Sequence, residues 1–305
     1  MKKTLIALAA LAVVSAASAQ STVTMYGVAD LSLVKATGTP TQMSGNGFNN
    51  GSSRLGVRGT EDLGGGLKAS FNFEQGINAE TGATSVAAFD RAANMSLSGN
   101  FGTVLLGRTL TPSFFGFVAW ELTGSANYSV VANQFGFAGA GPRNNSQISY
   151  TTPKMGGFSA TLGYVTDADM GAPVNNSKVD MNAIYGAGPL TVGFSYNKVA
   201  NAARNVALGA KYNFGAFQVA GSLQDPAGAK KGFTIGAGAN LGPVSLVLDI
   251  ARDTGSAVKS TDWLAEVKYP LSKRTTAYGA YLRDGSSVVG VSAVNTYGVG
   301  LRHNF

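Results

Sequence analysis

The feature that most constrains this chain is a period-two alternation that recurs along it. Near the C-terminus Tyr297, Val299, Leu301, His303 and Phe305 share one face, and Thr296, Gly298, Gly300, Arg302 and Asn304 share the other. Val206, Leu208, Ala210, Tyr212 and Phe214 alternate in the same way with Asn205, Ala207, Gly209, Lys211 and Asn213. So do Leu190, Val192, Phe194 and Tyr196 with Thr191, Gly193, Ser195 and Asn197, and Trp263, Ala265, Val267 and Tyr269 with Asp262, Leu264, Glu266 and Lys268. Successive side chains of a strand point to opposite faces, so these runs are strands with one apolar face and one mostly polar or tiny face. Alternation alone fits either a soluble sandwich, whose apolar faces share a core, or a transmembrane barrel, whose apolar face meets lipid.

Three features favour the barrel. Aromatics such as Tyr212, Phe214, Tyr269 and Phe305 stand at the ends of the apolar rows, where interfacial girdles belong. The opposite faces are rich in Gly, Ser, Thr, Asn and charge, which suits a wet interior. The chain also ends on an aromatic within its last strand, with no soluble tail expected. Composition agrees: only 13% of residues are charged, against about 25% for an ordinary globular surface. Something other than water is expected to cover part of this one.

The chain starts Met1-Lys2-Lys3, continues through an apolar run over residues 5–14, and reaches Ala17-Ser18-Ala19 before Gln20. A positive start, a short apolar core and an A-x-A site read as a cleaved signal peptide over residues 1–19. Residues 20–305 are then a single barrel domain, with a formal charge lowered by two from +7 to +5. An exported chain with no Cys has no disulfide framework, so closed backbone pairing must supply its strength. So small a charge, without a basic run or an aromatic-interleaved basic patch, argues against a nucleic-acid partner.

Connections alternate in length. Short turns fall at Leu63-Gly64-Gly65-Gly66, Gly99-Asn100-Phe101-Gly102, residues 153–157, Gly188-Pro189, Gly215-Ala216, Gly242-Pro243 and Leu271-Ser272-Lys273, with longer polar segments between them, such as 37–50 and 285–293. Seven short turns and eight longer loops connect sixteen antiparallel strands, with both ends on the periplasmic side. One loop, residues 111–141, is exceptional, since loops of that length are usually functional. It carries Phe114, Phe115, Phe117, Trp120, Tyr128, Phe135 and Phe137, too much apolar surface for solvent, and is expected to pack inside the barrel and narrow it.

Several segments resemble one family: Thr24-Met25-Tyr26-Gly27-Val28, the run from Ser53-Arg54-Leu55-Gly56 through Glu61-Asp62-Leu63-Gly64, Leu106-Gly107-Arg108, Arg143-Asn144-Asn145-Ser146 and the terminal Phe305. With these the chain resembles the trimeric general porins of Gram-negative bacteria, especially the β-proteobacterial type. The resemblance implies a homotrimer in the outer membrane, among its lipid and lipopolysaccharide, passing small solutes and ions with no cofactor. It also implies a pore waist of wall arginines Arg54, Arg91 and Arg143 set against Glu121, on the long loop, and Glu74, on the third strand. Opposed fixed charges make a transverse field that orients dipolar solutes and guides ions of each sign along separate tracks.

Two departures from the family pattern matter. Glu121 is the only acid between Thr111 and Gly141, whereas the family's loop often carries more. Three arginines against so thin a negative wall imply mild anion selectivity. The parity of Arg91 also turns Met95 and Leu97 toward a wet lumen. Either a bulge shifts the register there, or Asn94 and Ser96 face a subunit interface.

Blander readings stand beside these. Arg54, Arg91 and Arg143 are also what strand ends at lipid headgroups look like, Glu74 also reads as a local ion-pair partner, and strand parity leaves each of Arg58, Arg108, Arg283 and Arg302 open between lumen and interface. Asp253-Thr254-Gly255 copies an aspartic-protease signature but has no second copy, and Gly236, Gly238 and Gly242 lack the spacing and following helix of a nucleotide loop. His303 reads as interfacial. One His and no Cys leave almost no material for serine–histidine catalysis or His/Cys metal sites. The competing functions are a substrate-specific porin for a sugar or small anion, an outer-membrane enzyme, and a purely structural barrel.

Overall fold

The computed structural model describes residues 22–85, 87–136, 141–170, 176–286 and 288–305. The expected signal peptide, residues 1–19, lies outside them, as does Phe137. Among the described residues the strands are β1 (Thr22–Ala36), β2 (Gln42–Ser44), β3 (Arg54–Gly64), β4 (Leu67–Gly76), β5 (Ala92–Gly99), β6 (Gly102–Leu110), β7 (Arg143–Thr151), β8 (Phe158–Val165) and β9 (Lys178–Ala187). They continue as β10 (Leu190–Val199), β11 (Asn205–Asn213), β12 (Phe217–Asp225), β13 (Gly232–Leu241), β14 (Val244–Asp253), β15 (Thr261–Pro270), β16 (Thr275–Asp284) and β17 (Val294–Asn304). Sixteen are long and antiparallel; β2, three residues long, belongs to the first loop.

The ring closes where β17 pairs with β1, from Ala36 opposite Thr296 to Val28 opposite Asn304. Beyond that ladder Gly27 and Phe305 exchange both backbone hydrogen bonds, at 3.0 and 3.1 Å. The Phe305 ring lies over Gly27, where a Cβ would come within 2.3 Å of it, so glycine is required there. On its other edge β1 pairs with β3 over Thr22 to Val28 and with β2 over Ser32 to Val34. Side chains fill the gap between: Ser53 Oγ accepts from Asp30 N (2.9 Å), and Asn49 Nδ2 donates to Asp30 O (3.0 Å).

The apolar faces point outward. Met25, Leu223, Ile235, Leu248 and Val299 are all more than half exposed on the outer wall. At about 25 cal/mol per Å² of apolar surface, such a band is costly in water and favourable against hydrocarbon. Asn94 and Ser96 lie on the lumen side, opposite Asn72 and Ser70, and Met95 and Leu97 point to lipid. The expected conflict at Arg91 dissolves because Arg91 precedes β5 and follows Phe89, whose φ is +55°, so the strand period does not run through it. The irregularity is a bulge between β6 and β7 instead, where Arg108, between Gly107 (φ +115°) and Thr109, faces two residues of β7, Asn145 and Ser146 (φ +47°).

The described part of the long loop, residues 111–136, folds into the lumen, as its aromatic content requires. It contains two short helices, α1 (Pro112–Val118), capped by Thr111, and α2 (Val130–Phe135), capped by Ser129. A third, α3 (Asp167–Met170), lies in the loop after β8. Asp253 Oδ1 accepts from the N–H groups of Lys231, Gly255 and Ser256, so this aspartate organises a turn. His303 is exposed beside Phe305, within hydrogen-bond distance of Thr275 Oγ1 (2.9 Å).

Candidate pore constriction

Local sequence sets the first wall of the waist. Arg54 opens β3, and Glu74 faces Gly56 on the neighbouring strand. The missing Gly56 side chain leaves room for the Tyr26 ring, to which a Cβ there would come within 2.5 Å. The Tyr26 hydroxyl lies within hydrogen-bond distance of Glu74 Oε2 (2.9 Å) and Asn72 Oδ1 (2.8 Å), while Arg58 sits over its ring at 4.8 Å. Glu74 thus lies among the arginines: its Oε1 is 2.7 Å from Arg91 Nε and its Oε2 is 3.4 Å from Arg54 Nε. Arg143 Nε donates to Arg91 O (2.9 Å), and Arg108, at the bulge, donates to Asp90 O and Asn145 Oδ1.

Arg54, Arg91 and Arg143 are therefore brought together as expected, but Glu74 stands on their side of the lumen rather than opposite them. Two charged residues that parity does not reveal join the group. Arg108 enters through the bulge after Gly107. Asp90 lies in the loop after β4 and accepts from Gly76 N (2.7 Å) and Ser85 Oγ (2.8 Å). Partial burial works against ionising Asp90, yet these hydrogen bonds, with Arg91 and Arg108 nearby, hold its carboxyl below the ordinary range. Four guanidiniums gather around two carboxylates here, with only Arg54 and Arg91 ion-paired and Arg108 and Arg143 bonded to backbone carbonyls, an excess of positive charge. Arg302, inward on β17, adds another and donates to Asn50 O (3.0 Å).

The opposite wall is the long loop and the strands behind it. Ser113 N donates to Asp180 Oδ1 (2.7 Å), Asn182 Nδ2 to Pro112 O (2.7 Å) and Ser195 Oγ to Ser113 O (2.8 Å), which pin α1 to β9 and β10. Trp120 lies flat on β11: a Cβ on Gly209 would fall 2.2 Å from its ring. Further on, Tyr128 donates to Glu266 Oε2 (2.7 Å), and Gln134 Nε2 to Ser260 Oγ (2.6 Å). Trp120, Tyr128, Val130 and Val131 are buried. The first loop closes over the same segment: Phe48 packs on Tyr128 with centroids 5.0 Å apart, Asn50 Nδ2 donates to Tyr128 Oη (2.9 Å), and Asn127 N to Asn49 O (3.0 Å). Burial, with Glu266 beside it, keeps the Tyr128 hydroxyl protonated far above the usual tyrosine range.

Glu121 departs from its expected place facing the arginines. It is only 3% exposed. Its carboxylate accepts from Thr123 Oγ1 (2.6 Å), Ser129 Oγ (2.9 Å) and Ser125 N (2.9 Å), all from the same loop. A charge with three such donors is stabilised in place, and it organises the turn between the helices. Asp180 and Glu266 are likewise committed to holding the loop, and each has a lysine partner, Lys178 at 3.4 Å and Lys268 at 2.8 Å.

Comparison with known proteins places this architecture. The family model for Gram-negative porins matches residues 6–287. The chain is 38% identical to outer membrane porin protein 32 of Delftia acidovorans over 99% of its own length and 95% of the relative's. It is 34% identical to an outer membrane porin protein of Bordetella pertussis, over 68% of this chain and 62% of that one. Among solved structures, an anion-selective porin from Comamonas acidovorans superposes with a TM-score of 0.77 at 29% identity, covering 94% of this chain and all of the other. A closed sixteen-strand wall, an infolded loop and these relatives lead to one conclusion: the chain belongs to the Gram-negative porin family, outer-membrane barrels that pass small solutes through a water-filled lumen.

Proposed function

We propose that this porin is a passive conduit, without catalysis, whose waist favours anions through Arg54, Arg91, Arg108 and Arg143. The observation that carries this reading is the gathering of four guanidiniums around Glu74 and Asp90, of which only Arg54 and Arg91 are ion-paired, both to Glu74, while Arg108 and Arg143 bond backbone carbonyls and Glu121, Asp180 and Glu266 are engaged in holding the loop. Guanidiniums stay charged at any pH the protein meets, so the potential they create is fixed. An anion entering from either side meets a favourable potential and no tight site, which permits fast passage. The likeness to a structure described as an anion-selective porin supports the same sign.

The test is the zero-current potential of the purified protein in planar bilayers across a tenfold KCl gradient. The expected sign is that of chloride permeation, with the preference shrinking at higher salt as the Debye length falls from about 10 Å at 0.1 M to about 3 Å at 1 M. A potassium-selective channel would contradict the proposal. We further propose that the working assembly is a homotrimer, supported by family membership and by the apolar outer wall; native mass measurement in mild detergent that yielded only monomers would refute it.

A further inference from the structure

Where the long loop is rooted in the wall, an amine, an amide and an acid are buried together. Lys178, the first residue of β9, is 1% exposed, Asn144 on β7 is 6% exposed, and Asp180 is fully buried. Lys178 Nζ donates to Asn144 Oδ1 (2.8 Å) and lies 3.4 Å from Asp180 Oδ2. Asp180 Oδ1 accepts from Ser113 N (2.7 Å), whereas its Oδ2 accepts no hydrogen bond. Asn144 Nδ2 donates to Gln147 Oε1 (2.8 Å), which holds the amide from its other side. Lysines are almost never fully buried, and a buried ammonium is costly unless it is closely paired. At 3.4 Å this pair is looser than the about 2.7–2.9 Å of a charge-assisted hydrogen bond. A neutral amine beside a neutral acid therefore competes with the ion pair. Lys268, which also anchors the loop, differs: it is part-exposed, lies 2.8 Å from Glu266 and donates to the backbone carbonyl of Thr123.

The three side chains close a gap in the wall. The β7–β8 ladder ends externally at Ile148 opposite Tyr164, and the β8–β9 ladder at Val165 opposite Lys178. Past Val165 the chain turns off toward α3, so among the described residues the external end of β7 has no ladder partner on that side. Asn144 reaches Lys178 across the space that β8 has left. With Oδ1 2.8 Å from Nζ and a C=O bond of about 1.23 Å, Asn144 Cγ lies within about 4 Å of the amine. Rotation about the Cβ–Cγ bond turns that carbon toward Nζ.

We propose that Lys178 and Asn144 condense into an intramolecular amide cross-link, with Asp180 as the proton carrier. A desolvated lysine is a competent nucleophile, and a fixed approach to the amide supplies the proximity that the uncatalysed reaction lacks. Asp180 Oδ2 takes one proton from the Lys178 ammonium, and the freed electron pair on Nζ forms a bond to Asn144 Cγ. The Cγ–Nδ2 bond then breaks. A second proton from Nζ passes to Nδ2, which leaves as ammonia and takes up the proton held by Asp180 as it departs. Nothing is oxidised or reduced, and no co-reactant is consumed. The bond ties both roots of the constriction loop to one wall, since β7 follows the loop and Asp180 on β9 already holds α1 through Ser113. The inference is independent of ion selectivity.

Mass spectrometry of the purified full-length protein, intact and after protease digestion, tests it. The chain should be lighter than its sequence mass by one ammonia, and the digest should contain the Asn144 peptide joined to the Lys178 peptide. An N-terminal glutamine also loses ammonia on cyclising, so the joined peptides and not the intact mass decide. Asn144→Ala and Lys178→Arg should each abolish the joined species. After refolding from denaturant, Asp180→Asn should form it about a hundredfold more slowly than the unmodified chain. A digest of the unmodified protein that holds only the separate peptides would overturn the proposal, whether or not the variants fold. A folded Asp180→Asn protein that forms the bond at an unchanged rate would overturn the part given to Asp180.

Discussion

On one side of the lumen four arginines gather around two carboxylates, only Arg54 and Arg91 being ion-paired; on the other, three carboxylates are bound to the infolded loop. Arg54, Arg91, Arg108 and Arg143 come from strand ends and a bulge, and their positive excess is left to the lumen. Glu121, Asp180 and Glu266 are each buried and receive hydrogen bonds from the loop. The contrast teaches that counting acids and bases in a pore misjudges its field. A carboxylate that serves as an anchor has its charge answered by donors a few Å away, so it contributes less to the potential of the water than a residue on the arginine wall.

The comparison breaks most severely if the loop leaves its wall. Gly209→Leu places side-chain carbons where the Trp120 ring lies, an overpacking expected to cost about 3 kcal/mol and to displace the loop. Thermal unfolding should move to lower temperature and conductance should rise with added noise; an unchanged channel would show that the ring contact does not hold the loop. Tyr128→Phe is gentler. It removes the hydroxyl between Asn50 and Glu266 and should cost about 1–3 kcal/mol, with more open-channel noise at an unchanged reversal potential. A shifted reversal potential would mean that the anchor also acts as filter.

Two substitutions sharpen the contrast with smaller effects. Asp90→Asn should increase anion preference modestly by removing one of the two carboxylates on the arginine wall. Because the folded-state carboxyl is depressed, its charge and its contribution to stability persist above the unfolded value near 4 and are lost only as pH falls through the lower folded value. The contribution of Asp90, read as the difference in selectivity between the unmodified protein and Asp90→Asn, should accordingly stay level from neutral pH down to about 4, and a difference that collapsed near pH 6 would contradict this. Glu121→Gln should have the smallest effect on selectivity. It should instead lower thermal stability, because three donors lose a charged acceptor.

The fold was legible because period two and the alternation of short and long connections are properties of local sequence. Tyr297, Val299, Leu301, His303 and Phe305 point outward as their parity requires, and the described part of the long loop is inside as its aromatics require. The waist was legible in part. Arg54 opens a regular strand, so motif and parity locate it; Arg143 lies beyond the bulge at Asn145 and Ser146, so motif alone locates it. Arg91 lies outside the strand period, and Arg108 is turned by a bulge whose visible signal was only Gly107. The place of Glu121 depends on hydrogen bonds closed by Thr123, Ser125 and Ser129, which form only once the loop has folded against the wall. The short helices α1 and α2 carry too few residues for a readable helical period, though Thr111-Pro112 is a recognisable start.

The central claim is that selectivity arises on the arginine wall and not on the loop. Reversal potentials of Arg54→Gln with Arg143→Gln and of Glu121→Gln, recorded against the unmodified channel in the same low-salt gradient, test it most directly. The double arginine variant should move clearly toward cations, and Glu121→Gln should stay close to the unmodified value. An unmoved double variant, or a larger shift in Glu121→Gln than in the arginine pair, would contradict the account.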